Sequence, residues 1–300
     1  MSSILKVAVV GASGNTGVAI VNALLKQCFE VTAVTRESST AAFPSGVSVK
    51  RVDLTSKASL LTAFGGQDAV ISCISQAAVG GQDIILDAAI EAKVKRFLPS
   101  DYGIDCMNAL DTKAGQSLEG KAKTIQHLKD LAQKHTWFSW TGLAGLRFEL
   151  LGFDMVNHAA TIIDSGKEPF SASNLATLGQ AATAILRHPE ETANRTVKVS
   201  SFTTTQNEVL ELLEARSGAK WKINKVSGED LEKLGDEKKQ AGDPLFFALY
   251  LQRYIFSDGA NTAWKDGQTD NRALDLEMEE EIQDTVSRVL SEYSSPILPS

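Results

Sequence analysis

The chain has 300 residues, of which 43% are hydrophobic and 22% charged, so it can bury the core of one large domain or of a domain with a smaller lobe. No apolar run reaches the roughly 18 residues needed to span a bilayer, and the N-terminal segment lacks the features of a signal peptide, so we expect a cytoplasmic protein without a membrane partner. The formal net charge of -7 argues against a nucleic-acid-binding face.

Short apolar runs alternate with helical patterns over the first 150 residues. This alternation predicts an α/β fold, a Rossmann-type doubly wound parallel sheet covered by helices on both faces. The predicted strands are Leu5–Val10, Val31–Thr35, Val47–Val52, Ala69–Cys73 and Arg96–Leu98. The predicted helices between them are Thr16–Lys26, Lys57–Phe64 and Gln82–Ala92, and a longer helix is expected over Ser117–Lys134.

The second half of the chain is less regular and predicts a smaller, mostly helical C-terminal lobe that binds the substrate. Expected strands are Trp137–Thr141, Thr196–Ser200 and Trp221–Val226, and expected helices are Leu178–Leu186, Gln206–Ser217, Gly228–Gln240, Pro244–Ile255 and Leu274–Glu292. We therefore expect a nucleotide-binding domain over residues 1–150, with one strand returning to its sheet near 196–200. Residues 151–195 and 201–300 would form the lobe.

A glycine-rich turn follows the first predicted strand and opens the first predicted helix. Glycines at this junction permit a sharp turn, a close approach of the backbone to a pyrophosphate and tight packing of the helix on the strand. The N–H groups at the helix N-terminus then face the phosphates, and Asn15 and Thr16 are candidates to cap the helix. The turn predicts a dinucleotide site formed by Gly11, Ser13, Gly14, Asn15, Thr16 and Gly17.

Arg36 ends the second predicted strand, where an acidic residue would bind the ribose hydroxyls of NAD. A guanidinium at this position can bind a 2′-phosphate, so the predicted cofactor is NADPH. Asp53 follows the third strand, where it would contact the adenine or cap the helix that starts near Ser56. Ser72 and Ser75 follow the fourth strand, and the sheet order predicts that this segment, up to Gln76, runs along the cofactor ribose.

A lysine is the candidate acid–base group, because no tyrosine of the chain is followed by a lysine four residues later. Lys121 and Lys129 both point into the apolar stripe of the long helix, so helical angle does not choose between them. Ligands of open α/β sheets lie beyond the carboxyl ends of the strands, and Lys121 is nearer that end. Lys121 is therefore the predicted proton donor or acceptor. In the alternative interpretation it has no catalytic role, and its ammonium group only reaches water from the edge of the apolar stripe.

Three segments together resemble the NmrA-like branch of the atypical short-chain dehydrogenases. They are the turn Gly11–Gly17, the stretch Lys95–Gly103 and the stretch Ser117–Lys123. Within this branch the chain resembles fungal isoflavone reductase-like proteins, through Leu151–Asp154 and Pro169–Gly179 as well. The resemblance implies an NADPH-dependent reductase of a small, often aromatic or enone-type substrate. The branch also contains NAD(P)-sensing regulators that act through a protein partner, which is the alternative function.

The resemblance also assigns roles to individual residues. The catalytic lysine of the family falls on Lys121, and Asp101 and Tyr102 replace a glutamate and a phenylalanine of the family motif. Tyr102 thereby adds a hydroxyl near the expected site, where it would contact substrate or only fill the place of the phenylalanine. Members of the family usually have an asparagine after the next strand, at a position that falls near Thr141–Gly142 here. The stretch Trp140–Glu149 is also shorter than in relatives, so we expect an unusual substrate.

The remaining candidates concern substrate contacts, thiols and metals. Five aromatic side chains would line a substrate pocket or belong to the core, namely those of Phe148, Phe153, Phe246, Phe247 and Tyr250. The three cysteines lack CxxC spacing and are expected to be free thiols of a reducing compartment. The four histidines show no metal-ligand spacing, so no metal site is predicted. We expect a monomer or a homodimer.

Overall fold

The structure is a computed structural model, and it describes residues 4–75, 82–144, 152–276 and 280–294. Phe148, Gln76 and most of the short stretch that follows Ala144 lie outside the described residues.

A seven-stranded parallel sheet forms the centre of the first half of the chain, as the sequence predicts. Its strands follow the spatial order β10-β6-β5-β4-β1-β2-β3. They are β1 (Lys6–Val10), β2 (Glu30–Arg36), β3 (Ser48–Val52), β4 (Ala69–Ser72), β5 (Arg96–Leu98), β6 (Ser139–Ala144) and β10 (Arg195–Lys198). Strand order reverses between β1 and β4, and this switch point is where open α/β sheets bind their ligands.

Helices cover both faces of this sheet and give it two separate apolar cores. On one face pack α1 (Asn15–Lys26) and α6 (Leu175–Arg187), with Leu24 and Leu178 in the same buried cluster. The other face holds α2 (Lys57–Phe64), α3 (Gln82–Glu91) and α5 (Glu119–Lys134), which contribute buried side chains such as Leu60, Leu86 and Leu128. Burial on both faces explains why the strands are almost continuously apolar.

The C-terminal lobe has a third core around Trp221 and Phe256. Its helices are α4 (Lys113–Gln116), α7 (Gln206–Ser217), α8 (Gly228–Gln240), α9 (Leu245–Phe256) and α10 (Ile282–Ser294). Its strands are β7 (Phe153–Asp154), β8 (Ala159–Ile163) and β12 (Lys222–Val226) in one small sheet, and β9 (Phe170–Ala172) and β11 (Phe202–Thr204) in another. The sequence predicted β12 but not the other four strands, all of which have two to five residues.

Several predicted boundaries differ from the observed ones by one to three residues, and that of the last helix differs more. Strand β6 begins at Ser139, two residues after the predicted start. Trp137 lies outside the sheet, and Lys93 Nζ lies 4.8 Å from the centroid of the Trp137 ring. The last helix begins at Ile282, whereas the prediction began at Leu274. Leu274 is buried in a turn and packs against the first core, which accounts for its place in the apolar pattern without a helix.

Helix α6 packs directly on α1, although the predicted lobe boundaries place it with the substrate lobe. A Cβ atom on Gly179 would lie 2.8 Å from the carbonyl oxygen of Ala19 and 3.0 Å from the Cβ of Ala23. Glycine at this position therefore allows the two helices to approach closely. Residues 175–187 and the strand β10 therefore complete the large sheet and its helical cover from the second half of the chain.

Arg96 is fully buried at the start of β5 and is held by neutral groups. Its Nε donates to Ser139 Oγ at 2.9 Å, and its Nη1 donates to Thr141 Oγ1 at 2.7 Å and Thr192 Oγ1 at 3.0 Å. Its Nη2 donates to the carbonyl oxygen of Pro189. Burial lowers the pKa of the guanidinium to about 10, which leaves it charged at neutral pH. The bonds tie β5, β6 and the turn before β10 together.

We expect Arg96→Met to lower the free energy of unfolding by about 3 kcal/mol or more, because several buried acceptors lose a charged donor. Urea denaturation followed by circular dichroism measures the change. Arg216→Met, on the exposed face of α7, is the matched control and should change stability by less than about 0.5 kcal/mol. Equal effects of the two substitutions would contradict the structural role of Arg96.

Candidate functional site

A cleft of about 660 Å³ lies at the switch point of the large sheet and has a size typical of ligand sites. It is formed by the ends of β1, β2, β4 and β5, the start of α5 and the side of α9. The predicted site residues that line it are Gly11, Ser13, Gly14, Asn15, Thr16, Arg36, Ser75, Tyr102 and Lys121. The structure thus brings together in one cavity residues from four separate loops.

The glycine turn is compact and lies close to the backbone of the loop after β4. Gly11 has a φ of +77°, and a Cβ atom there would lie 2.6 Å from the carbonyl oxygen of Cys73. Gly17 lies beneath the turn, outside the cleft lining, and a Cβ atom on it would collide with the carbonyl oxygen of Gly11. The turn can therefore adopt this compact form only with glycine at both positions.

The N-terminus of α1 opens towards the cleft without a side-chain cap. The expectation that Asn15 or Thr16 caps it is wrong, because the N-cap residue is Gly14 and no side-chain hydrogen bond is made there. Asn15 and Thr16 instead lie within the first turn and line the cleft. The backbone N–H groups of this turn can hence point at an anionic ligand, which the helix dipole also favours.

The second strand supplies the opposite end of the cleft. Thr35, Arg36 and Ser39 line it there, and Arg36 is exposed at the end of β2. Asp53 does not line the cleft: its Oδ1 accepts from the backbone N–H and the hydroxyl of Thr55, and these bonds lower its pKa. Ser56, not Asp53, caps α2. Arg36 is thus the predicted charged residue that the structure places at this end.

The segment after β4 divides into a buried and an exposed part. Ser72 is fully buried within the sheet and does not line the cleft, whereas Cys73, Ile74 and Ser75 do. Ser72 still belongs to the strand, so its side chain points into the packed interior. The prediction that this segment runs along the cofactor therefore applies to its outer part, Cys73, Ile74 and Ser75.

Lys121 projects from the first turn of α5 into the cleft, whereas Lys129 is exposed on the far part of the same helix. The Nζ atom of Lys121 donates to the carbonyl oxygen of Tyr102 at 3.1 Å, and the residue is 9% exposed. Desolvation lowers the pKa of the ammonium group, and the nearby Asp101 carboxyl partly opposes this effect. The cleft thus contains a lysine whose proton is easier to remove than that of a surface lysine.

Asp101 is a buried carboxyl next to this lysine. Burial raises its pKa to about 6, and both Lys121 and a hydrogen bond from Cys106 Sγ at 3.3 Å act in the opposite direction. A Cβ atom on Gly142 would lie 3.3 Å from its Oδ2, so glycine leaves room for the carboxyl group. The acidic group and the lysine therefore share one desolvated pocket beside the cleft.

Among the described residues, the Tyr102 hydroxyl has one hydrogen-bond partner, the thiol of Cys73. The Tyr102 hydroxyl and the Cys73 Sγ are 3.5 Å apart. Burial raises the pKa of the Cys73 thiol to about 12 and raises that of Tyr102 as well. Both groups hence stay protonated at neutral pH and offer hydrogen-bond donors to the cleft.

Apolar side chains close the remaining wall. Ile104, Leu118, Phe247 and Leu251 line it, the last two from α9. Of the described aromatic candidates, Phe247 alone lines the cleft. Tyr250 is buried in the lobe core and donates to Asp236 Oδ1 at 2.6 Å, and Phe153 and Phe246 pack against the same core.

Several lining residues were not predicted from the sequence. Ser100 lies two residues after the end of β5, and its hydroxyl donates to the carbonyl oxygen of Ile74 at 2.8 Å. Its position after a parallel strand is the same signal that identified Ser75. Leu118 and Leu251 carry no such signal, because they reach the cleft only through the packing of α5 and α9.

The described residues contain no cluster of histidine, cysteine, aspartate or glutamate suited to a metal ion. Within the same part of the chain, every helix is too short or too polar to cross a bilayer. The three cysteines, all of them described, are free thiols.

Comparisons with known proteins identify the family of the chain. The model of the NmrA-like family matches residues 4–243. Oxidoreductase poxI of Penicillium oxalicum is 38% identical over 255 residues, covering 79% of this chain and 78% of that protein.

Two solved structures share the fold. A structure of AtPrR2 with NADP+ and (+)pinoresinol matches with a TM-score of 0.80 at 20% identity, covering 97% of this chain and 100% of that one. An isoflavone reductase matches with a TM-score of 0.74 at 21% identity, covering 96% of this chain and 100% of the other.

We expect iodoacetamide at pH 7.5 to alkylate Cys28 and to leave Cys73 almost unmodified. The thiolate is the reactive form, and the pKa of about 12 leaves very little of it at Cys73. Peptide mass spectrometry of the native protein over time measures both rates, with the exposed Cys28 as the internal control. Alkylation of Cys73 at the rate of Cys28 would show that its thiol is not desolvated, and reaction of both in urea confirms that both peptides are detected.

Proposed function

The chain belongs to the NmrA-like family and is an oxidoreductase, and we propose that it is an NADPH-dependent reductase of small aromatic or enone-type substrates. The observation that carries this proposal is the presence of Lys121 and the glycine turn in one cleft. A desolvated lysine is suited to proton transfer, and the turn is suited to a pyrophosphate. Lys121 would act as the general acid or base.

The residues of the cleft fit the proposed cofactor. The glycine turn is a cradle that a Cβ atom on Gly11 would block, and the uncapped start of α1 supplies N–H donors for the pyrophosphate. Arg36 would bind the 2′-phosphate at the far end of the cleft, with Thr35 and Ser39 beside it. Ser75 would lie along the ribose. When bound, NADPH supplies a hydride to the substrate.

Lys121 is held ready for proton transfer by its surroundings. Its Nζ keeps one hydrogen bond, to the carbonyl oxygen of Tyr102, and this acceptor directs the ammonium group along the wall of the cleft. Because desolvation lowers its pKa, the group can release a proton to a substrate oxygen or carbon near neutral pH more readily than an exposed lysine. Asp101 opposes complete loss of the charge, so the proton remains available.

Tyr102 would orient the substrate. Its hydroxyl remains protonated and lies beside Cys73, so it can donate a hydrogen bond to a polar atom of an aromatic substrate. The apolar wall of Ile104, Leu118 and Phe247 would exclude water from the reacting end. An aromatic or enone-type molecule matches this combination of one apolar wall and a few donors.

We expect Arg36→Met to weaken NADPH binding at least tenfold and to leave NADH binding within about twofold, because only NADPH carries the 2′-phosphate. Titration calorimetry with each cofactor measures both affinities. Arg216→Met, remote on α7, is the control and should change neither. A wild-type protein that binds NADH as tightly as NADPH would disprove the role of Arg36.

We expect Lys121→Met to lower the turnover of an identified substrate at least a hundredfold while NADPH affinity changes by less than about threefold. The substrate comes from a screen of NADPH oxidation against aromatic enones, benzylic ethers and quinones. Lys129→Met is the matched control on the same helix and should retain full turnover. Comparable turnover in the two variants would overturn the proposed mechanism.

A further inference from the structure

A second cavity, of about 490 Å³, lies on the other side of segment 102–105 from the reductase cleft. Gly103 and Ile104 line both cavities, so this segment forms a shared wall. The remaining walls come from β10, from the end of α9 and from the loop that follows α9. None of the roles proposed above uses this cavity.

The charges in its walls compensate one another. Lys198 Nζ lies 2.8 Å from Asp105 Oδ2, and Arg195 Nη1 lies 2.8 Å from Asp270 Oδ1. Each pair also joins β10 to another wall, so the four side chains hold the cavity in shape. Two cations balanced by two carboxylates leave no net charge to attract an ionic ligand, which favours a neutral one.

The other lining groups offer hydrogen bonds and two aromatic rings. Thr196 contributes a hydroxyl from β10, and Gln268 contributes an amide whose Oε1 accepts from the backbone N–H of Lys265 at 2.7 Å. Trp264 and Tyr254 contribute rings with an apolar face and a polar edge. The backbone N–H of Trp264 donates to Ser171 Oγ at 2.9 Å, which anchors its loop on the lobe.

We propose that this cavity binds a neutral polyhydroxylated group, such as a sugar or a polyol. Such a group carries many hydroxyls that donate and accept, which the amide, hydroxyl and ion-pair walls can match. Its ring also presents C–H groups that pack against aromatic faces, which Trp264 and Tyr254 supply. An anion or a cation would have to displace one member of an existing ion pair.

The position of the cavity links it to the reductase cleft. Asp105 lies in its wall, three residues from Tyr102, whose carbonyl oxygen accepts from Lys121. A ligand that contacts Asp105 and Gly103 therefore touches the same backbone segment that holds the proposed acid–base group. The site would be occupied independently of the cofactor, because no residue of the glycine turn lines it.

The test is titration calorimetry and saturation-transfer NMR of the full chain with D-glucose, sucrose and myo-inositol, compared with glucose 6-phosphate and glucosamine. We expect at least one neutral probe to bind with a Kd of about 1 mM or lower, and the charged probes to bind at least tenfold more weakly. Trp264→Leu should weaken the binding of the neutral probe at least tenfold and leave the affinity for NADPH unchanged.

Trp137→Leu is the matched control, since Trp137 is also partly exposed but packs against another core and does not line the cavity. Thr196→Val serves as a second variant, because it keeps the shape of the side chain and removes only the hydroxyl. The proposal is overturned if no neutral probe binds below about 10 mM. It is equally overturned if the charged probes bind more tightly than the neutral ones. The same holds if the Trp264→Leu variant binds the neutral probe as tightly as the wild type does.

Discussion

The hydrogen bond from Lys121 to the carbonyl oxygen of Tyr102 joins the two parts of the cleft. It links the first turn of α5 to the loop after β5, and through that loop to the end of the central sheet. The bond also orients the ammonium group of Lys121, which is desolvated by burial. A charged side chain at 9% exposure needs such a partner, because an isolated ammonium in an apolar wall would be costly. The position of the lysine and its altered acidity therefore have the same structural origin.

The glycine turn imposes a second constraint, which is steric. Gly11 approaches the carbonyl oxygen of Cys73, the first residue after β4, so the turn and the β4 loop lie in direct contact. Cys73 in turn contacts Tyr102, which brings the loop after β5 into the same layer. The ends of three neighbouring strands are thus connected through short contacts. The proposed hydride-accepting end and the phosphate-binding end are parts of one packed surface.

The sequence predicted the central sheet and its helices well, because apolar runs and glycine breaks mark each element. Lys121 and Lys129 could not be separated by helical angle, and strand topology chose Lys121, which the structure places in the cleft. Asp53 follows its strand as predicted, but it bonds to Thr55 instead of lining the cleft, and Ser72 is buried because it is still part of β4. Phe247 and Leu251 carry no local signal, since their place depends on how α9 packs over the sheet. Strands β7, β8, β9 and β11 of the lobe were also not predicted, whereas β12 was.

The packing of α6 on α1 has a consequence for how the chain acquires its structure. The nucleotide-binding side needs residues 175–187 and the edge strand β10, and Leu274 packs against the same core. The packing of α6 on α1 connects residues more than 150 positions apart, such as Gly179 and Ala19, which raises the mean sequence separation of contacts and slows folding. During synthesis, the first 150 residues emerge with one apolar face of their sheet still uncovered by α6. Such a partly exposed face is a target for chaperones until the second half of the chain has left the ribosome.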